Sequence, residues 1–313
     1  MPNYLHEAEA AGSPLAMDPA EFERLGRRVV AMIAGHLAGL RDGPVHRALP
    51  ADELRSVLDQ ALRSSSTVNT GAIDPLDRIA ETCAEEGLWF HVDGAYGALG
   101  MADPDETPRF AGMERADSLA LDPHKWLSVP IECGAVLVRD RELQRDAFSL
   151  VAPYLRFQQA GDADELPQPF EHGVQLTRGF RALKAWATLM HLGRAGLRRK
   201  IAHNNALARR LAGAVEAAPD LELLAPVSLS IVCFRFVPAG WTGSETALDA
   251  LNEVITERVN AGGEVYFTPT TLGGRRVLRA CIIHYATTEA DVDLLVRRVR
   301  ETGGNLAARR FDP

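Results

Sequence analysis

Two short apolar runs constrain this chain most, because each breaks off into a polar loop at the same end. Residues 88–93 (LWFHVD) lead into Gly-Ala-Tyr-Gly, and residues 118–121 (SLAL) lead into Asp122-Pro-His-Lys-Trp. Before the first run, Asp74-Pro75 is a helix start, Ile79, Ala80 and Cys83 fall at helical spacing, and Gly87 closes the element. A further apolar strand is expected at 134–138, and Thr67–Thr70 reads as a strand end. Strands alternating with a helix in this way predict a mostly parallel sheet covered by helices. In such sheets ligands bind outside the carboxyl ends of the strands. Asp93 and Lys125 each stand at such an end.

The flanks read differently. Asp18-Pro19 opens a helix with Phe22, Leu25, Val29, Met32, Ile33 and Leu37 at helical spacing, and a second short helix is expected over residues 52–62, before Ser64-Ser65-Ser66. Residues 149–172 form a long loop carrying Pro153, Gly161, Pro167 and Pro169. Helices are expected over 175–191 and 194–217. A small α+β unit follows: strand 230–236, helix 245–260, strands 264–268 and 276–283, helix 289–302. The implied division is 1–63 (tail and helical segment), 64–172 (ligand-binding domain) and 173–313 (linking helices and small domain).

Composition narrows the function. With a net charge of −8, the chain gains no counterion-release affinity for nucleic acid. The cluster Arg198-Arg199-Lys200 reads as a solvated helix face. Cys83, Cys133, Cys233 and Cys281 are scattered in apolar contexts with no zinc-type spacing, so buried thiols in a reducing cytoplasm are expected and no metal. No apolar run reaches the ~18 residues of a membrane span, and the N-terminus shows no signal-peptide pattern.

Chemistry gathers at the two loops. An aldehyde cofactor needs an amine to hold it as an imine, and a pyridine ring withdraws electrons only while a carboxylate keeps its nitrogen protonated. Lys125 and Asp93 are the two groups required. Taken singly they prove little: a loop lysine is usually a solvated charge, Asp93 could cap the next turn, His124 could be a structural histidine, and Trp126 could serve packing alone.

The order of the pieces changes that reading. HVDGAYG followed by ADSLALDPHKW resembles the signature of the group II pyridoxal-phosphate-dependent decarboxylases, the family of aromatic-L-amino-acid decarboxylase and glutamate decarboxylase. Phe180-Arg-Ala-Leu-Lys-Ala-Trp and Asp18-Pro19-Ala-Glu-Phe-Glu are similar to that family as well, so the likeness runs over residues 17–302. The resemblance implies the aspartate-aminotransferase-like fold (fold type I): a large domain around a seven-stranded sheet, a small C-terminal α+β domain, and a homodimer with sites at the subunit interface. It implies Lys125 as the cofactor-bearing lysine and Asp93 as the partner of the pyridinium nitrogen. It also implies Ala95 against one face of the ring, His124 at the phosphate or imine, Thr67 near the ring substituents, and Asp122 orienting the lysine loop.

Two departures from the family stand out. Between Leu62 and Thr67 the family has several more βα units, carrying the phosphate-gripping turn and a ring-stacking histidine, and nothing in residues 63–66 replaces them. The large domain is therefore expected to be incomplete. The family's loop tyrosine, a general acid in the aromatic decarboxylases, has no counterpart in residues 157–176, where Phe170 and His172 are nearest. Of these, only His172 could donate a proton; a loop without a catalytic residue is the alternative, and oxidative deamination is then a possible outcome. The expected activity is decarboxylation of an L-amino acid, aromatic by the motif spellings, with an acidic substrate as runner-up. An inactive, shortened homologue that dimerises or binds a partner is the rival, and a transaminase or desulfurase the third reading.

Overall fold

The computed structural model describes Arg24, Arg27 and residues 61–65, 69–148 and 169–310. The expected N-terminal helix, apart from Arg24 and Arg27, which are helical, lies outside these residues, as do Thr67 and most of the long loop. Two four-stranded sheets organise the described chain.

The first sheet runs β1 (Ala61–Ser65), β2 (Trp89–Asp93), β3 (Ser118–Leu121), β4 (Ala135–Val138). β1, β2 and β3 are parallel, and β4 returns antiparallel to β3. Helix α1 (Leu76–Glu86) links β1 to β2; three 3₁₀ turns, at Gly97–Ala102, Thr107–Phe110 and Met113–Arg115, fill the crossover to β3. Leu76, Ala80 and Cys83 form the buried stripe of α1, and Gly87 ends it in the left-handed region (φ 64°) that a glycine adopts without a Cβ penalty. The cap position falls on Pro75, one residue after Asp74, whose carbonyl accepts from Leu76 N–H at 2.8 Å. Phe90 and Val92 of β2 are buried with Leu76, Cys83, Phe110, Trp126, Ile201 and Leu229.

The second sheet is antiparallel, in the order β5 (Leu221–Leu223), β6 (Ile231–Phe236), β8 (Arg275–Cys281), β7 (Thr268–Leu272). Every residue of β6 is buried. Helices α3 (Arg181–Ala217), α4 (Glu245–Ala261) and α5 (Glu289–Arg310) carry Leu207, Leu211, Leu248, Ile255 and Val299 into its core. α3 is two helices merged across Gly193 (φ 60°, ψ 174°), which matches the two expected helices except for a later start. Helix α2 (Arg141–Phe148) follows β4. No described helix is long and apolar enough to cross a membrane. Cys83, Cys133 and Cys233 are buried free thiols, and Cys281 is half-buried.

Several expectations need correction. The helix over 52–62 does not extend to its end, because Ala61–Ser65 pairs in parallel with β2, Ala61 opposite Trp89 and Ser65 opposite Asp93; sheet pairing overrides the local pattern. Asn69 and Thr70 sit in a turn rather than a strand end. The strand expected at 264–268 lies at Thr268–Leu272, because the Gly273-Gly274 turn sets its register against β8, with Leu272 opposite Arg275. β5 was not anticipated. The apolar strand expected at 134–138 does form, as β4, with Val136 49% and Leu137 58% exposed.

The basic cluster is also not a uniformly solvated face. Arg198 and Arg199 are exposed, but Lys200 is 2% exposed. The helical period places it on the inward side of α3 with Ile201 and Asn204. Burial pushes its pKa down to about 8. Its folded-state value thus lies below that of the free side chain, so the protonated form costs stability below pH 8. Between pH 8 and 10 the unfolded chain binds more protons, and the folded state gains. Chemical denaturation of wild type and Lys200→Met should show the wild type gaining on the order of 2 kcal/mol relative to the variant across that window.

A second prediction concerns α4. Fully buried Asn252 donates to the Phe236 and Leu248 carbonyls and accepts from the Phe236 N–H at 2.8 Å. Asn252→Ala strands these groups and should lower the unfolding free energy by about 2–4 kcal/mol in urea titrations.

Candidate active site

The site is built where β2 and β3 end together. Asp93 closes β2 and lies opposite Ala120, one residue before β3 finishes at Leu121. The two loops leave the same carboxyl edge and are tied there: Asp122 N–H donates to the Ala95 carbonyl at 3.0 Å. Ala95 N–H in turn donates to Asp93 Oδ1 at 3.1 Å, which fixes the carboxylate over its own loop. Only glycine fits between them. A Cβ on Gly94 would stand 2.5 Å from Ala98 Cβ and 2.7 Å from Leu119 Cδ1.

Lys125 is held locally. Its N–H donates to the Asp122 carbonyl at 2.9 Å, and its Nζ lies 2.7 Å from Asp122 Oδ2 with the side chain 41% exposed. His124 Nδ1 lies 2.8 Å from the Cys133 carbonyl, leaving the Nε2 edge for a ligand. Beyond Lys125 the chain turns sharply. Ser128 sits at φ 61°, unusual for a residue with a Cβ, and Val129 N–H donates back to the Pro123 carbonyl at 3.1 Å.

Trp126 supports the loop from behind. It is fully buried, stacks on Tyr96 with ring centroids 5.0 Å apart, and donates through Nε1 to Asn204 Oδ1 at 3.0 Å. Tyr96 Oη lies 2.6 Å from Ser230 Oγ, and burial holds its phenol well above the usual pKa. Lys200 Nζ donates to the Trp126 carbonyl. Sequence reasoning missed Tyr96, Ser230, Lys200 and Asn204. The i, i+4 spacing of Lys200 and Asn204 was the available signal, masked by the arginines beside Lys200.

Of the residues singled out from sequence, Asp93, Ala95, Asp122, His124 and Lys125 lie on these two tied loops. Thr67 lies outside the described residues. His172 ends a 3₁₀ turn (Pro169–His172) against α2, where Gln144 Nε2 donates to its carbonyl at 2.9 Å. The charges acting on it are Arg141, Glu171, Arg145 and Glu142, and none belongs to the lysine loop. Burial, aided by the two arginines, lowers its pKa, which favours the neutral ring at pH 7. A neutral imidazole accepts protons more readily than it gives them.

An aromatic aldehyde with a basic ring nitrogen suits this arrangement. Lys125 offers an accessible amine, Asp93 a carboxylate held on the neighbouring loop, and Gly94 and Ala95 little bulk between them. The described residues thus fit the ring half of pyridoxal phosphate.

Comparison with known proteins bears on the same residues. The pyridoxal-dependent decarboxylase conserved domain matches residues 62–237. An aromatic-L-amino-acid decarboxylase of Bacillus atrophaeus is 31% identical over 239 residues, 76% of this chain and 49% of the relative. A phenylacetaldehyde synthase of a Rosa hybrid cultivar is 33% identical over 228 residues, 71% of this chain and 44% of the relative. The crystal structure of Oryza sativa TDC with PLP and tryptamine superposes with a TM-score of 0.72 at 27% identity, over 81% of this chain and 54% of that one. The chain spans about half the length of the curated relatives it matches. Its fold is the aspartate-aminotransferase-like type, with an incomplete large domain and a small C-terminal α+β domain. The loops that hold Asp93 and Lys125 fall inside the matched region, and by that match the chain belongs to the pyridoxal-dependent decarboxylase family.

Proposed function

We propose that this chain binds pyridoxal 5'-phosphate, the cofactor of its family, between the loops after β2 and β3 and decarboxylates an aromatic L-amino acid to the amine and carbon dioxide. One observation carries the reading: Asp93 and Lys125 follow adjacent parallel strands at one edge, on loops joined by the Asp122–Ala95 hydrogen bond. When bound, the cofactor supplies a ring that takes up the electron pair released as a bond at the substrate α-carbon breaks.

The chain's own groups have distinct tasks. Lys125 Nζ is the amine that holds the cofactor, and Asp122, with Oδ2 at 2.7 Å from it, orients the lysine on its loop. The Asp93 carboxylate keeps positive charge on the ring nitrogen. Ala95 would pack against the ring and the Nε2 edge of His124 would meet the phosphate or the reacting end; for Thr67, outside the described residues, the family resemblance implies a place near the ring substituents. His172 is the candidate proton donor of the long loop, a role that requires it to leave the neutral position it holds against α2. Cofactor binding belongs to residues 64–172 within a cytoplasmic homodimer, with 1–63 and 173–313 as the flanking units.

A second reading has its own support. The first sheet has four strands among the described residues, and the apolar β4 is open to solvent. A catalytically impaired homologue that survives by dimerising or binding a partner would look this way.

Borohydride reduction separates the two. The chain has three lysines, Lys125, Lys184 and Lys200, so the modified peptide identifies the site directly. Pyridoxal phosphate fixed on Lys125, and lost in Lys125→Ala, is the expected result; a protein that fixes none, or fixes it equally without Lys125, overturns the proposal. Asp93→Asn should retain the adduct yet lower turnover about 100-fold or more. Product analysis with an aromatic amino acid should find carbon dioxide and amine; aldehyde would place the chain with oxidative deamination instead.

A further inference from the structure

Lys200 has a job to explain. Its side chain is buried to 2% exposure, no carboxylate pairs with it among the described residues, and desolvation is the cause of its lowered pKa. An ammonium is rarely sunk into protein without a counter-charge. Its hydrogen-bond partner is the Trp126 carbonyl, the peptide group between Trp126 and Leu127. Asn204, one helical turn along α3, holds the Trp126 indole at 3.0 Å and donates to the His284 carbonyl at 3.1 Å. One face of α3 therefore grips both the main chain and the side chain of the residue after Lys125. Tyr96, from the Asp93 loop, closes the other side of the indole.

We propose that Lys200 is a positioning residue for Lys125: by holding the Trp126 carbonyl from within the core, it sets the main chain from which the Lys125 side chain departs toward the Asp93 loop. A methionine could fill the same space but could not make that bond. The adjoining backbone needs such support, since Ser128 lies in the left-handed region two residues further on. The inference rests on the reading of Lys125 as the cofactor-bearing amine, and its test is arranged so that either can fail alone.

The test uses the full chain without added cofactor, as wild type, Lys200→Met and Lys200→Arg. Hydrogen exchange is followed at the amides of Lys125 to Val129, with β6 as the reference. Lys200→Met should speed exchange about tenfold at the loop and leave β6 unchanged, and Lys200→Arg, which keeps a donor, should restore part of the protection. In parallel, acylation by an amine reagent should shift the Lys125-to-Lys184 labelling ratio several-fold in Lys200→Met. Unchanged loop exchange overturns the proposal. So does faster exchange of equal size in β6, which would make Lys200 a general stability residue, and so does failure of both variants to fold. Borohydride fixation on wild type is scored separately: its absence sinks the cofactor reading while the exchange result still decides whether Lys200 holds the loop.

Discussion

The parallel register of β2 against β3 is the constraint on which the site depends. His91, Val92 and Asp93 lie opposite Ser118, Leu119 and Ala120, so both strands end at one level. A slip of one residue would turn Asp93 to the other face of the sheet and send Phe90 and Val92 out of the core. Side chains pin the register as well as the ladder does. Trp89 Nε1 donates to Ser118 Oγ at 2.9 Å, His91 Nδ1 lies 2.7 Å from the same oxygen, and Phe90 N–H donates to Asp117 Oδ2 at 2.8 Å. Each of these joins the start of β3 to β2. The crossover is short and made of 3₁₀ turns rather than a long helix, and it contributes Phe110 and Ala116 to the core beneath.

How much of this could be read from sequence depended on where each element's partners lie. β2 was legible because Phe90 and Val92 alternate with half-buried neighbours and the polar loop follows at once. α1 was legible from its spaced apolar residues and Gly87. β4 has an equally apolar sequence, yet its exposure depends on what lies beside it, and nothing local reports an absent neighbour. The first two residues of β1, Ala61 and Leu62, read as the end of a helix because the strand character of this segment comes from β2. Lys200 was hidden for a related reason: a charge next to two arginines looks solvated, and only the phase of α3 against Trp126 turns it inward. At the site, Asp93 and Lys125 were readable from loop chemistry, whereas Tyr96, Ser230 and Asn204 act through contacts distant in sequence.

The incomplete sheet has a physical price at its margins. Among the described residues β4 is an edge strand that exposes two large apolar side chains, the kind of edge that folded proteins usually cover or charge. The nearby surface adds Ile131 at 84% and Phe180 at 66% exposed, the two flanking one shallow cleft. Relatives of which the matched region is about half have further chain available to cover such surfaces. Here the exposed apolar area favours association, which suits a dimer and equally favours aggregation.

The lysine loop meets that margin where His124 bonds Cys133, two residues before β4. Further support comes from the opposite direction, through α3, whose Ile201 packs in the first core while Leu207 and Leu211 pack in the second. The Trp126 indole is bonded to Asn204, Asn204 to the His284 carbonyl, and Tyr96 to Ser230. Every one of these contacts reaches α3 or the C-terminal unit, and none reaches β4. A chain can therefore lose strands from the large sheet and still hold Lys125 and Asp93 in register, because what braces the loops is the helix shared by both cores.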